Sequence, residues 1–207
     1  SQTGYLMTLA WDLAPEEQRD ALFARLVEKV EGRGARLTTG FHGVALLCPT
    51  LSRFGRADLA YDLLFQRDYP SWGFSIDNGA TTIWERWDGW TPDAGFQTPE
   101  MNSFNHYSLG SVGQWIYSDV AGIAQAETST GFDEVVIAPR IDSRLDWVNA
   151  RLQTTRGEVR TRWERLGDEI VLSVTLPPGA TGVARLGGQE VPLASGTSVL
   201  RVLAALV

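Results

Sequence analysis

The seven residues QAETSTG, 125–131, divide the chain into two parts with different hydrophobic patterns. Before them, apolar residues recur at helical spacing, and after them short apolar runs alternate with turn residues. Their polar composition and closing glycine predict a linker. We therefore predict a multidomain α+β protein, with a helical domain over residues 1–126 and an all-β domain over residues 132–207.

Helix signals dominate the amino-terminal side of this linker. Pro15, Glu16 and Glu17 predict a helix start, because proline is tolerated in the first turn and acidic side chains favour the positive end of the helix dipole. No strand pattern intervenes between the helices, which suggests antiparallel helix pairs. The predicted helices cover about 15–31, 44–54 and 56–66, a short segment starting near 81–82, and a long segment over 105–121.

Short strands separated by glycine and proline turns follow the linker. Ile170, Leu172, Val174 and Leu176 alternate with a period of two, as expected for a strand with one buried face. Regular short strands of this kind favour a β-sandwich. The predicted strands are 134–138, 146–154, 158–165, 169–176, 181–186 and 197–203.

Composition excludes several classes of function. The net charge is −7, with 9 basic and 16 acidic residues in 1–130 and nine of each in 131–207. Because an acidic surface repels phosphate, no nucleic acid partner is expected. No apolar run is long enough for a membrane span. Cys48 and two histidines offer neither a disulfide framework nor a metal ligand set, and no cofactor motif occurs, so no metal and no cofactor are expected. Cysteine usage indicates no compartment, so localisation stays unknown.

The richest stretch for chemistry is YPSWGFSIDNGATTIWERWDGWTPDAGFQTPEMNSFNHY, residues 69–107, which holds four of the eight tryptophans around Glu85. A carboxylate between apolar rings loses hydration and gains affinity for protons. Glycoside hydrolysis uses two such carboxylates, and indole faces suit the C–H faces of sugar rings. The structural alternative is that Glu85 pairs with Arg86 or another arginine while the indoles form core.

Several motifs in this region and beyond it resemble one family in the same order. TTIWERWDG (81–89) and MNSFNHYSLGSVGQWIY (101–117) are similar to the carboxy-terminal part of the bacterial α-L-rhamnosidases, glycoside hydrolase family seventy-eight. The further matching segments are TGFHG (39–43), DLAYDLLFQRDYPSWG (58–73) and VVIAPRIDSRLDWVNARLQTTRGEV (135–159).

This resemblance implies an inverting hydrolase whose catalytic domain is an (α/α)6 barrel, with the second half of that barrel in this chain. Glu85 would be the general base that activates water, and His106 would hydrogen-bond rhamnose hydroxyls. Trp84 and Trp87 flank the base, and we expect only one of them, Trp87, to face the sugar. Trp72 is a weaker candidate to line the site, with core packing as the alternative.

The family's general acid lies in the earlier half of the barrel, so the resemblance also implies that part of the site is missing here. Asp88, close to Glu85 in sequence, is interpreted as a supporting residue. We expect a fragment with weak or no activity alone, whose partners are an α-L-rhamnoside and either the missing half-barrel or a second copy of the chain. The alternatives are a non-catalytic carbohydrate-binding or interaction module that kept Glu85 only for sugar contact, and a helical protein closed by its own copy.

Overall fold

The computed structural model describes residues 1–207 and divides them into two compact units, Ser1–Gly113 and Gln114–Val207. The first unit is mainly helical and the second mainly β, which confirms the predicted α+β class. None of the helices combines the length and apolarity needed to cross a membrane.

The first unit contains five α-helices. Their apolar stripes make a buried core that includes Leu6, Leu26 and Leu47, each fully inaccessible to solvent. A two-strand hairpin and two 3₁₀ turns follow them. The elements are α1 Gln2–Ala10, α2 Glu16–Glu31, α3 Phe41–Arg53, α4 Ala57–Phe65, α5 Trp72–Asp77, β1 Trp90–Thr91, β2 Gly95–Phe96, and the 3₁₀ turns Pro99–Met101 and Ser108–Ser111.

Two helix predictions were wrong. The short helix expected near 81–82 does not form, because residues 82–85 use backbone and side-chain groups to bond the segment 103–106. A helix instead begins at Trp72, where the Ser71 hydroxyl accepts a hydrogen bond from the backbone N–H of Phe74 at 2.9 Å.

The long helix expected over 105–121 is a chain of short segments. After the 3₁₀ turn at Ser108–Ser111 come α6 Val112–Trp115, across the division between units, and a π-helical turn, Ile116–Val120. Residues 103–106 are not helical, since they pair with the segment around Glu85.

The second unit contains two four-stranded sheets that contribute side chains to one buried cluster. Trp163 and Leu172 of one sheet and Ile137 and Ala184 of the other are among its fully buried members. The sheet orders are β10-β7-β6-β5 and β3-β4-β8-β9, antiparallel except for the pair β4 and β8. The strands are β3 Ile123–Gln125, β4 Glu134–Ile137, β5 Trp147–Thr154, β6 Gly157–Leu166, β7 Glu169–Leu176, β8 Thr181–Leu186, β9 Gln189–Leu193 and β10 Gly196–Leu203.

All six predicted strands are present within one residue at each end. Two strands of this unit, β3 and β9, were missed, as was the hairpin of β1 and β2 in the first unit. β3 has only three residues, and its last one, Gln125, is the first residue of the predicted linker. β9 contains Pro192, which argues against a strand in the sequence but is tolerated here because β9 is an edge strand.

Candidate active site

The tryptophan-rich stretch forms an irregular loop after α5 that is folded back on itself. Its hairpin is anchored by Asn102, whose side-chain amide donates to the Gly89 carbonyl at 2.9 Å. A Cβ at position 89 would lie 2.8 Å from the Asn102 Oδ1 atom, so a larger residue there would require the Asn102 side chain to shift. The outgoing residues 82–85 and the returning residues 103–106 are thereby brought side by side.

Glu85 makes two hydrogen bonds with a single residue on the returning segment. Its backbone N–H donates to the Ser103 carbonyl at 2.8 Å, and its Oε2 accepts from the Ser103 backbone N–H at 2.7 Å. The second carboxylate oxygen, Oε1, has no partner in the chain, and the side chain is half-buried. The carboxylate is therefore fixed at one oxygen and open at the other.

No arginine is bonded to Glu85. The neighbouring Arg86 instead donates to both carboxylate oxygens of Asp88, at 2.9 and 3.0 Å. This hydrogen-bonded pairing with Asp88 raises the pKa of the Arg86 guanidinium. Arg86 thus forms an ion pair with Asp88, and no cationic side chain is hydrogen-bonded to Glu85. Burial, and then the charge of Asp88, raise the pKa of the nearby Tyr69 phenol.

His106 lies on the returning segment and is held by its backbone and its ring. Its N–H donates to the Ile83 carbonyl at 2.9 Å, two residues before Glu85. Its ring Nδ1 accepts from the Ser108 backbone N–H at 3.3 Å. The ring stacks on Phe41 with centroids 4.9 Å apart and on Tyr107 with centroids 5.3 Å apart. Glu85 and His106 are therefore positioned by the same pair of chain segments.

The three candidate tryptophans differ in burial. Trp84 is 6% exposed and packs edge-on against Phe104, and Trp72 is 8% exposed and donates from its indole N–H to the Leu109 carbonyl at 2.7 Å. Trp87 is half-buried and packs edge-on against Trp72, with centroids 5.6 Å apart. Its indole N–H donates to the Thr39 carbonyl at 3.4 Å.

These three indoles line a largely apolar cavity of about 350 Å³, which Glu85 and His106 do not line. The structure thus places the predicted site residues in two groups, the polar pair on the loop and the indole cavity, which the loop and the first residue of α5 line. Ile83 connects the groups, because its side chain lines the cavity while its carbonyl bonds His106. No three His, Cys, Asp or Glu side chains cluster as a metal site would require.

Two residues with a direct role in this geometry carried no functional signal in the sequence. Ser103 bonds Glu85 through its backbone, which any residue except proline supplies equally, and its hydroxyl accepts a hydrogen bond from the Asn105 backbone N–H at 3.1 Å. Phe41 opens α3 at the TGFHG segment and reaches His106 only through the tertiary fold. The other histidine, His42, is an exposed residue in the first turn of α3.

Two protein-family models match this chain. Residues 1–120 match the model described as the bacterial α-L-rhamnosidase 6 hairpin glycosidase domain, so the helical part is a six-hairpin glycosidase domain sequence. Residues 122–200 match the bacterial α-L-rhamnosidase C-terminal domain. The chain belongs to the bacterial α-L-rhamnosidase family, which confirms the resemblance seen in its motifs.

Individual relatives agree with this assignment. An α-L-rhamnosidase of Streptomyces avermitilis is 46% identical over 181 residues, covering 87% of this chain and 17% of the relative. An α-L-rhamnosidase of Formosa agariphila is 42% identical over 87% of this chain and 19% of its own length. The chain therefore spans about a fifth of the length of these relatives.

Solved structures show the same similarity in three dimensions. The crystal structure of the Streptomyces avermitilis α-L-rhamnosidase complexed with L-rhamnose matches with a TM-score of 0.92 and 40% identity, over 98% of this chain and 21% of that one. The native α-L-rhamnosidase of Aspergillus terreus matches with a TM-score of 0.92 and 33% identity, over 98% and 24% of the two chains.

Proposed function

We propose that this chain supplies the general-base side of an inverting α-L-rhamnosidase active site, with Glu85 as the base. The observation that carries the proposal is the Glu85 carboxylate, held at Oε2 by the Ser103 N–H and open at Oε1. A general base needs a fixed lone pair that can reach a water molecule, and this arrangement provides one. Family membership supplies the reaction class.

In the proposed reaction, Glu85 Oε1 accepts a proton from water as the water oxygen attacks the anomeric carbon of the rhamnoside. The bond from that carbon to the leaving oxygen breaks, and a second carboxylic acid protonates the leaving oxygen. In inverting glycosidases the two carboxyl groups lie roughly 6.5–9.5 Å apart, which leaves room for the water. Asp88 is a poor candidate for the acid, since Arg86 engages both of its oxygens. We propose that the acid comes from outside this chain.

The remaining predicted site residues contact the sugar or line its subsite in this proposal. His106 hydrogen-bonds rhamnose hydroxyls from the segment beside Glu85. Trp87, the least buried of the three indoles, forms a wall of the sugar subsite. Trp72 and Trp84 line the subsite from behind, where Trp72 packs edge-on against Trp87.

We also propose that the helical unit is half of an (α/α)6 barrel and that the two sheets form a β-sandwich. The predicted domains at residues 1–126 and 132–207 follow this division, except that β3, Ile123–Gln125, pairs with β4 in the second unit. The match to the 6 hairpin glycosidase domain supports the half-barrel, and the single core to which both sheets contribute supports the sandwich. Large apolar side chains exposed on the helical unit include Leu13, Ile76 and Phe96, at 67%, 61% and 72%. The rest of the catalytic domain, or a second copy of the chain, is proposed to cover part of this surface.

Product stereochemistry tests the proposed mechanism. A longer polypeptide that adds the rest of the catalytic domain is given an aryl α-L-rhamnoside, and the first-formed sugar is followed by proton NMR. Inversion predicts β-L-rhamnose before mutarotation. First-formed α-L-rhamnose would mean retention, which requires a nucleophile and contradicts the role assigned to Glu85.

A further inference from the structure

The His106 ring stacks on two aromatic rings from different parts of the chain. Phe41, the first residue of α3, stacks on it with an interplanar angle of 14°, and Tyr107 stacks on it with an angle of 11°. The three rings are thus nearly parallel. A stack of this kind limits tilting of the imidazole, because tilting would separate the ring faces.

The hydrogen bond to the ring determines where its proton lies. The Ser108 backbone N–H can only donate, so the Nδ1 atom that receives it must present a lone pair. A neutral imidazole with an unprotonated Nδ1 carries its proton on Nε2. The ring is therefore a donor at Nε2.

The exposure of the two flanking rings points to a role other than core stability. Tyr107 is 85% exposed and Phe41 is 38% exposed. Because the hydrophobic contribution of a side chain follows the apolar area it buries, Tyr107 gains little from its position. The Tyr107 ring does, however, stack on the His106 ring.

We propose that Phe41 and Tyr107 are positioning residues that hold His106 as a fixed Nε2–H donor for a sugar hydroxyl. The sugar-binding part of this inference rests on the proposed function, but the fixed donor does not. A donor already held in one orientation loses less conformational freedom when a ligand binds, which favours binding of a correctly placed hydroxyl.

The test uses the chain itself, uniformly labelled with ¹⁵N, at about pH 8.5, which is above the usual imidazole titration range. Long-range ¹H–¹⁵N spectra report the protonation of each ring nitrogen. The chain has two histidines, so exposed His42 serves as an internal reference and its replacement by Asn assigns the signals. We expect His106 to show a single Nε2–H pattern, and His42 to show the averaged pattern of a free imidazole.

Two matched pairs of variants test the stack. Tyr107→Leu removes the outer ring, and we expect the His106 pattern to move toward the averaged one, while Tyr107→Phe keeps the ring and the wild-type pattern. Phe41→Leu and Phe41→Tyr form the corresponding pair on the other face, with circular dichroism to confirm folding. An averaged His106 pattern in the wild type, or an unchanged pattern in both Leu variants, would overturn the proposal. The spectra need no catalysis, so failure of Glu85 as a base would leave them unaffected.

Discussion

Ser103 and Glu85 exchange two hydrogen bonds across 18 residues of chain, with the Ser103 N–H on Glu85 Oε2 at 2.7 Å and the Glu85 N–H on the Ser103 carbonyl at 2.8 Å. The same returning segment thus sets both the backbone and the carboxylate of the proposed base. The side-chain bond satisfies one oxygen and leaves Oε1 for solvent. The returning segment therefore matters to the proposed chemistry through its main chain.

Removing this donor is expected to disorient the base. In a longer polypeptide with the complete catalytic domain, Ser103→Pro deletes the N–H, and we predict a fall in kcat of about tenfold or more, since a misplaced catalytic group loses much of its rate contribution. Ser103→Ala keeps the N–H and should stay within a few-fold of the wild type. The measurement is kcat on an aryl α-L-rhamnoside, with circular dichroism of both variants. Equal rates for properly folded Pro and Ala variants would rule out this role.

The chain by itself is expected to hydrolyse rhamnosides weakly or not at all. A general acid or base contributes about 10²–10⁴-fold to rate, so lacking the acid should lower turnover at least about a hundredfold relative to the complete domain. Release of the aryl alcohol at equal concentrations measures this. Turnover close to that of the complete domain, and abolished by Glu85→Gln, would show instead that this chain carries its own acid.

Self-association is expected through the exposed apolar side chains of the helical unit. Phe96 is 72% exposed and Ile76 is 61% exposed, and large exposed apolar patches favour association. Light scattering should show a dimer or larger assembly that Phe96→Ser combined with Ile76→Ser weakens. Val199→Ser, at a 57% exposed position on β10, is the control and should have little effect. A well-folded, monodisperse monomer of the unmodified chain would contradict the prediction.

The ion pair of Asp142 and Arg144 gives the second unit a pH-dependent contribution to stability. Asp142 accepts two side-chain hydrogen bonds of 2.7 Å from Arg144, which lower the pKa of the Asp142 carboxyl. Its stabilisation is therefore present above the unfolded pKa of about 3.9 and is lost as pH falls through the lower folded pKa.

Asp142→Asn should accordingly lower the free energy of unfolding by about 1–2 kcal/mol at pH 7, below the full range for hydrogen bonds to charged groups because Arg144 is partly exposed and solvent screens the pair. Urea unfolding measures the difference, which should shrink as pH falls below about 4. Asp168→Asn is a suitable control, since the exposed Asp168 side chain makes no ion pair. A difference that stays constant down to pH 2 would show that the charge of Asp142 is not responsible.

Strands were predicted from sequence more reliably than the loop that carries the site. The alternation from Ile170 to Leu176 places one face of β7 in the core, and that local pattern is enough to locate the strand. β9 was missed because Pro192 is incompatible with a central strand, and only the sheet order shows that this strand lies at an edge.

The site could be predicted only in part. The motifs identify Glu85 and His106 as candidates, but the pairing of Glu85 with Ser103 depends on how the intervening hairpin folds. Trp84 and Trp87 both flank Glu85 in the sequence, and although Trp87 was predicted to face the sugar, their different burial is decided by packing against Phe104 and Trp72. The Phe41 contact with His106 joins residues 65 positions apart, beyond any local pattern.

The substitution Glu85→Gln is the sharpest test of Glu85 as the general base. Glutamine keeps the size of the side chain and an oxygen acceptor for the Ser103 N–H, but it cannot take a proton from water. In the complete catalytic domain we predict that kcat on an aryl α-L-rhamnoside falls by about 10²–10⁴-fold while KM stays within a few-fold. A folded Glu85→Gln enzyme whose rate remains within about tenfold of the wild type would contradict the account.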